Sequence, residues 1–410
     1  MKFIKIPRGT IYQKISDQIV DLLCIIFTPL NNQKKIKKFE KKFATYLNIN
    51  YCQAFPLARI AIYSALKSQK FKKNDEILMP PITIKPILDV VISLGLKPVF
   101  VDLNKDTLCF DTKDLKRKIN KNTRACIITY LFGIVPNLNQ IVSILNKKKI
   151  FSIEDFSQCL NGEFANKKIG TFANVGVYSA SSIKPLDTYG GGLLVCKNFN
   201  LNKKIKLEKE KLYFCSRQKL FQKIFINLAR SIFTNRLIFS FLTFYLIKFS
   251  QFFLNTKNTK MLGDRNKQPL KQLPSEWFVK YSSFQASVGL RKIEEIKNED
   301  TNRIRIAETI KKNNQNISFP LSTDKSKNVY WQLLAFCKTP LLTKLNLMKF
   351  GIDSSTSSLE YLPSLKSYGF KIKLKNAEII YKKSLLIPCF SKLTSTDVNK
   401  IISSLKKINF

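Results

Sequence analysis

The residues with the clearest chemical potential lie in two short stretches of the chain. Residues 176–192 read GVYSASSIKPLDTYGGG, in which small and hydroxyl side chains surround Lys184 and three glycines follow it. Upstream, residues 151–162 read FSIEDFSQCLNG, with Asp155 ending an apolar run and Gln158 three residues later. Burying a carboxylate is costly unless it is paired, yet an Asp here is more often a helix cap. Taken singly, Asp155 therefore fits a capping role, and Lys184 fits a surface role.

An Asp, an amide donor and a Lys that converge on one cleft would suit pyridoxal phosphate. The cofactor aldehyde needs a lysine for its Schiff base, and the pyridinium nitrogen needs a carboxylate that keeps the ring protonated. The phosphate needs hydroxyls and the backbone N–H groups of a helix start. Ser179, Ser181 and Ser182 could supply the hydroxyls, and residues 54–66, AFPLARIAIYSAL, could supply the helix start. Together these residues predict a pyridoxal phosphate site.

The composition of the chain restricts the other classes of function. Its 410 residues carry a formal net charge of +42, from 70 Lys and Arg against 28 Asp and Glu. Such a charge can indicate a nucleic-acid or membrane partner, but the lysines are scattered along the chain and lack a nucleic-acid-binding motif. The sequence has no histidine, which removes His-based catalysis and His metal ligands. We therefore expect neither a nucleic-acid partner nor a metal site.

Cysteine usage and the amino terminus bear on the cellular compartment. The nine cysteines are widely spaced without a CxxC pair, which argues against zinc and favours a reducing environment. The amino-terminal stretch MKFIKIPRGTIYQK lacks the apolar core of a signal peptide. Both features predict a cytoplasmic protein, and peripheral attachment to the inner membrane surface stays open as a variant of this location.

Short apolar strands alternate with amphipathic helices through the first half of the chain. The runs KPVFVDL, RACIITYLF and IFSIED have strand length, and helical runs such as TKDLKRKI and LNQIVSILNKKK separate them. This alternation predicts an α/β fold with a mostly parallel sheet covered by helices. Ligands of such sheets bind beyond the carboxyl ends of the strands, where most of the candidate residues are expected.

The alternation of strands and helices stops at residues 203–275, which form a helical, apolar and basic insertion rich in phenylalanine. Its longest charge-free run has 11 residues, whereas a membrane-spanning helix needs about 20. One interpretation is that residues 211–255 form an interfacial or re-entrant helical pair, with Arg230, Arg236 and Lys248 holding acidic lipid headgroups. The other is that the insertion is buried or forms a dimer surface, with these cations as solvated edges.

The candidate residues lie in a block that resembles the DegT/StrS group of fold type I, PLP-dependent sugar-nucleotide aminotransferases. Residues 153–195, IEDFSQCLNGEFANKKIGTFANVGVYSASSIKPLDTYGGGLLV, are similar to that group's Asp, Gln, Ser, Lys and glycine pattern. The stretches SSFQASVGLRKIEEI at 282–296 and KNAEIIYKKSLLIPCFSKLTSTDVNKII at 375–402 resemble two further elements of the group. With the amino-terminal third, the resemblance covers nearly the whole chain outside 203–275.

The resemblance implies a role for each matching residue. Lys184 would be the Schiff-base lysine and proton shuttle, and Asp155 would pair with the pyridine nitrogen. Gln158 would lie beside the ring face or its 3-hydroxyl group. Ser179, five residues before the lysine, would bind the phosphate.

Other positions depart from the pattern of the group. The helix start that binds phosphate usually reads Gly-Thr/Ser or Gly-Arg and is Ala58-Arg59 here, which leaves the N–H groups of Arg59 and Ile60 as phosphate donors. Ile84 replaces an aromatic residue that stacks on the cofactor, so the ring cover would be aliphatic. Lys280 stands where the neighbouring subunit would supply an Asn or Arg to the phosphate.

Two substrate-side positions also differ, since Tyr130 replaces a histidine and Gly190 replaces an acidic residue. Relatives that dehydrate carry a histidine at the lysine position, so Lys184 favours transamination. The resemblance implies a homodimeric aminotransferase that moves an amino group from an amino acid, by resemblance glutamate, to a nucleotide-linked or lipid-linked keto-sugar in surface glycan synthesis. The departures leave one alternative: a catalytically impaired or differently specific homologue with a membrane- or partner-binding role.

The expected organisation has four parts. A helical arm occupies residues 1–50, and a large PLP-binding α/β domain, with a sheet of the seven-stranded type, occupies 51–202. The helical insertion follows at 203–275. Residues 276–410 would form a connecting helix and a smaller carboxyl-terminal α+β domain.

Overall fold

A seven-stranded sheet organises the computed structural model of this chain, which describes residues 4–253, 268–356 and 359–408. The described strands are β1 (Tyr51–Phe55), β2 (Glu76–Met79), β3 (Ile82–Thr83), β4 (Lys97–Phe100), β5 (Thr123–Thr129), β6 (Phe151–Asp155), β7 (Glu163–Phe164), β8 (Lys167–Lys168), β9 (Val175–Ser179), β10 (Gly192–Cys196), β11 (Ser326–Lys327), β12 (Leu333–Phe336), β13 (Ser355–Thr356), β14 (Glu360–Tyr361) and β15 (Ser384–Ile387).

Helices cover the sheet and build the remaining parts of the molecule. The described α-helices are α1 (Ile15–Phe27), α2 (Gln33–Leu47), α3 (Ala58–Lys67), α4 (Lys85–Ser93), α5 (Thr112–Lys118), α6 (Leu138–Lys147), α7 (Phe199–Glu210), α8 (Arg217–Phe233), α9 (Arg236–Ile238), α10 (Phe244–Phe253), α11 (Ser283–Lys292), α12 (Ile296–Lys312), α13 (Pro340–Lys349), α14 (Lys375–Lys383) and α15 (Ser395–Lys406). A π-helical stretch, Phe239–Thr243, joins α9 to α10.

The strand order of the large sheet is β1-β10-β9-β6-β5-β2-β4. Only β10 runs against its neighbours, and the pairs from β9 to β4 are parallel. The central strands are largely buried on both faces because helices cover both sides. The predicted α/β fold with a mostly parallel seven-stranded sheet is therefore confirmed.

Parallel register brings chemically useful residues to one edge of this sheet. Asp155 is the last residue of β6 and pairs in register with Thr129 of β5 and with Val177 of β9. Ser179 ends β9 in the same direction. The carboxyl ends of three neighbouring strands thus meet at one place, where such sheets bind their ligands.

The carboxyl-terminal part forms a smaller α+β unit. Strands β12, β15 and β13 make an antiparallel sheet in that order, with α13, α14 and α15 in the same part of the chain. Strand β14 leaves this unit and pairs with β3 of the large part, in the register Glu360 to Thr83. The two parts are therefore linked by backbone hydrogen bonds.

Helix α8 of the basic, apolar segment packs antiparallel against α1. The Gln18 amide of α1 donates to the Ser231 hydroxyl at 2.8 Å, while at the other end Arg217 donates to the carbonyl oxygen of Thr28 at 3.0 Å. Farther along, Phe244 of α10 packs with Phe239 and with Met348 of α13. The proposed insertion 203–275 is thus described through residue 253 and from 268, and its residues 254–267, including the end of 211–255, lie outside the described residues.

A test of length and composition finds no single membrane-spanning helix among the described residues. One pair, Arg217–Phe233 and Arg236–Ser250, passes the test jointly but bends by 60°.

Close backbone packing joins helix α3 to strand β10. A Cβ atom built on Gly192 would lie 2.6 Å from both the nitrogen and the Cα atom of Ala58. Real Cβ atoms do not approach backbone atoms so closely, so a side chain here would push the start of α3 away from the sheet. Glycine at position 192 is therefore required for the helix start to lie beside the end of β9.

We expect Gly192→Ala to lower the free energy of unfolding by about 1–3 kcal/mol, because the clash involves backbone that cannot rotate away. Chemical denaturation measures this change. Gly9→Ala is the matched control, since a Cβ atom on Gly9 would meet nothing within 4 Å. An equal effect of both substitutions would contradict the packing argument.

Candidate active site

Lys184 lies buried beyond the end of β9, beneath an aromatic side chain from a distant part of the sequence. Only 6% of the residue is exposed, and its Nζ atom lies 3.5 Å from the centroid of the Trp331 ring. The Trp331 indole N–H donates to the Ile183 carbonyl oxygen at 3.0 Å, which fixes the ring beside the lysine. The lysine backbone N–H donates to the carbonyl oxygen of Ser181 at 2.9 Å. The amine is therefore held inside the protein.

The surroundings of Lys184 disfavour its protonated form. Burial is the main cause that lowers the pKa of its ammonium group to about 7; the negative charge of Asp155 opposes this effect, and the positive charge of Arg303 adds to it. A substantial fraction of this amine is consequently neutral near pH 7. A neutral amine is the form that attacks a carbonyl carbon.

Asp155 faces this lysine from the neighbouring strand. Burial raises the pKa of its carboxyl group, and the hydrogen bonds from Ser157 and the charge of Lys184 oppose that rise. The Ser157 backbone N–H donates to the Asp155 carboxylate at 3.1 Å. The carboxylate thus keeps an attractive interaction with the lysine. Turns rather than a helix follow it, so the helix-cap interpretation is wrong, and the role of Asp155 toward a cofactor stays a prediction.

Glu154 precedes Asp155 and points to the opposite face of β6. It accepts hydrogen bonds from the backbone N–H groups of Gly170, Phe172 and Ala173 at 2.6–2.7 Å. The Tyr130 hydroxyl also donates to it, at 2.6 Å. Its partners make Glu154 a structural residue, and they turn the Tyr130 hydroxyl away from the face that carries Asp155.

A buried hydroxyl group remains available next to Asp155. Thr129 pairs in register with Asp155, so both side chains leave the sheet on the same face. Within the described part of the chain, the Thr129 hydroxyl oxygen has no hydrogen-bond partner although it is buried. Buried polar atoms are normally satisfied, so an unsatisfied one at the strand ends is consistent with a polar ligand there.

Gln158 is held at the same edge by a backbone hydrogen bond. The Phe132 N–H donates to its side-chain oxygen at 2.7 Å, which leaves its amide NH₂ group as the donor that could meet a ligand. Phe132 has a positive φ of 57°, and Gly133 follows at 81°. A Cβ atom on Gly133 would lie 2.7 Å from the backbone nitrogen of Trp331, so the missing side chain lets the Trp331 backbone approach.

The expected phosphate-binding residues lie together at the end of β9. The Ser179 and Ser181 hydroxyls are 3.2 Å apart, and Ser179 pairs in register with Gly192, on which the start of α3 packs. Helix α3 begins at Ala58 after the N-cap residue Leu57, whose side chain has no oxygen to satisfy the first turn. The helix start therefore offers N–H groups beside Ser179.

The donors at this helix start differ in availability. The Ile60 N–H already donates to the Leu57 carbonyl oxygen at 3.1 Å, so this predicted phosphate donor is engaged within the first turn of α3. The Arg59 guanidinium lies 4.3 Å from the centroid of the Trp277 ring. The side chain of Arg59 is thus engaged with the segment that follows the insertion.

Two of the expected site residues, Ile84 and Lys280, have surroundings that differ from those of the group around Lys184. Ile84 is 40% exposed as the N-cap residue of α4, five residues beyond the end of β2. The Lys280 ammonium lies 4.9 Å from the centroid of the Phe214 ring, at a backbone contact between residues 213 and 280. Within one chain, Lys280 joins this contact rather than the group around Lys184, and its role toward a neighbouring subunit stays a prediction.

The loop after Lys184 is held by three separate parts of the chain. The buried carboxylate of Asp187 accepts a hydrogen bond from the Asn227 amide of α8 at 2.7 Å, and the Asp187 carbonyl oxygen accepts one from Gln13 at 2.9 Å. The Tyr189 hydroxyl donates to Asp21 of α1 at 2.8 Å. The Gln285 amide of α11 donates to the Gly190 carbonyl oxygen at 2.7 Å. The insertion therefore supports the lysine loop directly.

Burial raises the pKa of the Asp187 carboxyl group to about 7, although the hydrogen bonds from Tyr189 and Asn227 lower it. Beside it, Gly190 has a φ of +102°, which a residue with a side chain rarely adopts. The Lys223 ammonium lies 3.1 Å from the point where a Cβ atom at position 190 would begin. A cation of α8 therefore occupies the space beside the glycine that replaces the acidic residue.

Three residues of the site escaped the sequence interpretation. Trp331 and Asn227 are near the lysine loop only because distant segments pack there, and no local pattern marks them. Arg303 is almost fully buried, pairs with Asp300 at 2.6 Å and donates to the Val329 carbonyl oxygen at 2.8 Å. Its position on the buried stripe of α12, among isoleucine and alanine residues, was the available signal.

The residues present fit pyridoxal phosphate. A buried amine with a lowered pKa faces a carboxylate, and hydroxyls and a helix start lie close by. The unsatisfied Thr129 hydroxyl adds a polar group at the same edge. Among the described residues, no cluster of Cys, Asp and Glu side chains could hold a metal ion.

Comparisons with known proteins agree with this arrangement. The DegT/DnrJ/EryC1/StrS aminotransferase family profile matches residues 28–224 and 265–406. GDP-perosamine synthase of Escherichia coli O157:H7 is 26% identical over 202 residues, which is 49% of this chain and 55% of that protein. An uncharacterized protein of Methanocaldococcus jannaschii is 22% identical over 91% of this chain and 90% of its own length.

A solved structure extends the likeness to the fold. The sugar aminotransferase CalS13 from Micromonospora echinospora superposes with a TM-score of 0.77 at 17% identity, covering 98% of this chain and 99% of that one. Since the family profile matches most of the chain and the architecture agrees, this chain belongs to the DegT/DnrJ/EryC1/StrS aminotransferase family and has the fold type I architecture.

Proposed function

We propose that this protein is a pyridoxal phosphate-dependent aminotransferase that acts on a keto-sugar. The observation that carries the proposal is the buried Lys184 amine, with its pKa near 7, facing the Asp155 carboxylate at the ends of parallel strands. Family membership supports the same reaction class.

Each part of the cofactor has a candidate partner in the chain. Asp155 would face the pyridine nitrogen, and the Gln158 NH₂ group would lie beside the ring or its hydroxyl. Ser179 and the first N–H groups of α3, at Ala58 and Arg59, would hold the phosphate. Exposed Ile84 would cover one ring face, and Lys280 would reach the phosphate of a neighbouring subunit in a homodimer.

When bound, pyridoxal phosphate supplies an aldehyde that links amines covalently and a ring that stabilises negative charge on the adjacent carbon. The neutral Lys184 Nζ atom would hold the cofactor and then, once released, accept a proton from the α-carbon of the amino donor. Burial lets the same atom give that proton back near neutral pH, because its pKa is close to 7. The ring of Trp331 would exclude water from one side of this atom.

The proposed amino donor is glutamate, and the proposed acceptor is a nucleotide-linked keto-sugar in surface glycan synthesis. The similarity to GDP-perosamine synthase and to a UDP-linked altrosamine transaminase of Campylobacter jejuni supports a nucleotide carrier. We place the reaction in the cytoplasm, where nucleotide sugars are made. Gly190 replaces an acidic residue of the family pattern, and the Lys223 ammonium lies beside it. A positive charge here would suit an anionic substrate better than a carboxylate would.

A second candidate function follows from the same departures. Gly190 and Ile84 alter the family pattern on the substrate side, so a homologue with impaired or different activity and a binding role would also account for these residues. The two candidates differ in whether the bound cofactor accepts an amino group.

Capture of pyridoxal phosphate by the apoprotein should accelerate as the pH rises, because the reactive form of Lys184 is the neutral amine. With a pKa of about 7, the neutral fraction increases about tenfold between pH 6 and pH 8. The growth of the visible absorbance band measures the rate. Lys184→Ala should lack the band, while Lys97→Ala, which removes an exposed lysine on β4, should keep it. An unchanged band in Lys184→Ala would exclude this lysine.

Adding glutamate to the holoprotein should replace the visible band by the ultraviolet band of pyridoxamine phosphate. Asp155→Asn should slow this conversion by about 100-fold or more, because the substitution removes the charge that stabilises a protonated ring. Stopped-flow absorbance gives both rates, and Gln222→Leu on the exposed side of α8 is the control. A wild-type holoprotein that binds the cofactor but never converts it would favour the second candidate function.

Asn227→Leu should loosen the lysine loop, because the buried Asp187 carboxylate loses a hydrogen bond of 2.7 Å. We expect the free energy of unfolding to fall by about 1–3 kcal/mol. Hydrogen exchange of residues 184–190 in the apoprotein should increase, and affinity for the cofactor should drop. Gln222→Leu on the same helix again serves as the control. Unchanged exchange in this loop would show that α8 does not support it.

A further inference from the structure

The insertion turns an apolar surface toward solvent. We call this surface the outer face of α8–α10. We define it by six apolar side chains that are 47–66% exposed, namely Phe225, Phe233, Leu237, Phe241, Tyr245 and Leu246. Contiguous exposed apolar surface of this kind marks a binding site for a protein or a membrane.

The outer face is separate from the face that holds α8 to the protein. Leu220, Ile224 and Asn227 are buried at helical spacing, and they pack toward α1 and the lysine loop. Phe221 and Phe225 follow at the same spacing one position later and remain exposed. Phe244, the first residue of α10, packs inward on Met348, while Phe241 in the preceding π-helical stretch and Tyr245 of α10 are exposed. The helices therefore carry two apolar faces, of which the protein uses one.

All charged side chains from residue 211 to residue 253 are positive. From residue 211 to residue 253 the sequence contains no Asp or Glu. Its exposed cations include Lys211, Arg217, Lys219 and Lys248, whereas the ammonium group of Lys223 turns toward Gly190. Aromatic and aliphatic side chains beside cations, without carboxylates, complement the acyl boundary and the anionic headgroups of a lipid bilayer.

We propose that the outer face of α8–α10 docks peripherally on an anionic lipid bilayer. A second copy of this chain fits the face less well, since a symmetric contact would bring the same cations of two copies together. Peripheral docking also agrees with the 60° bend between α8 and the helix after it, because a bent pair can lie along the boundary. This inference does not depend on the proposed enzymatic function.

Docking would place the bilayer one helix away from the lysine loop. The buried side of α8 contacts that loop through Asn227 and Asp187, and the opposite side would contact lipid. The catalytic domain itself would remain in water beside the membrane surface.

Flotation of the full-length protein with vesicles tests the proposal. We expect the wild-type protein to float with vesicles of phosphatidylcholine mixed with phosphatidylglycerol, and to stay at the bottom with phosphatidylcholine alone. Phe225→Ser/Phe241→Ser/Leu246→Ser should reduce the bound fraction about tenfold or more, because it removes the apolar contact. Lys219→Gln/Lys248→Gln should weaken binding by about 25-fold, since each basic residue near an anionic surface contributes about fivefold.

Matched controls separate docking from misfolding and from subunit contacts. Leu207→Ser/Leu321→Ser removes two exposed leucines elsewhere and should float like the wild type. Circular dichroism and cofactor binding should be unchanged in all variants, as should the molar mass from light scattering. Failure of the wild type to float with anionic vesicles would overturn the proposal, as would equal flotation of the triple variant. A loss of molar mass in that variant, without wild-type flotation, would identify a subunit interface instead.

Discussion

The buried amine of Lys184 depends on several parts of this molecule for its chemical properties. An ammonium group inside a protein is costly, and Lys184 meets that cost by a lowered pKa and by facing Asp155. The lowered pKa of Lys184 and its position opposite Asp155 both require that the ends of β6 and β9 lie side by side and that Trp331 covers the amine. The parallel sheet and the carboxyl-terminal unit are thus both needed for one chemical property of one side chain.

The loop after this lysine shows how widely the support of the site is distributed. Its groups are bound by Gln13, Asp21, Asn227 and Gln285, which come from the arm, the insertion and α11. Segments far apart in sequence must therefore be in place together before the loop has one conformation. The insertion is part of this support, because α8 uses its buried side for Asp187 and leaves its other side exposed.

Local sequence patterns predicted strands β4, β5 and β6 and helices α5 and α6 between them, whereas Asp155 and Lys184 were paired on the chemistry of the cofactor and on the family resemblance. This worked because strand alternation and the direction of a parallel sheet are local rules that place strand ends at one edge. Trp331 and Arg303 were missed because their contacts with the site come from packing across more than a hundred residues. Ile84 is 40% exposed, and its proposed contact is a cofactor rather than another side chain, so its role stays a prediction.

The glycine at position 190 and the insertion meet at one place, because the Lys223 side chain of α8 lies beside Gly190. A φ of +102° disfavours any side chain there, and the Lys223 ammonium lies 3.1 Å from the point that a Cβ atom would occupy. A residue with a side chain at this position would need a different backbone conformation, and the end of the lysine side chain would have to shift slightly. Once α8 packs on the loop, glycine is the residue that fits, and the charge beside the lysine loop becomes positive. The positive φ at Gly190 thus suits glycine, and the nearby Lys223 ammonium of α8 leaves a positive charge that favours an anionic ligand.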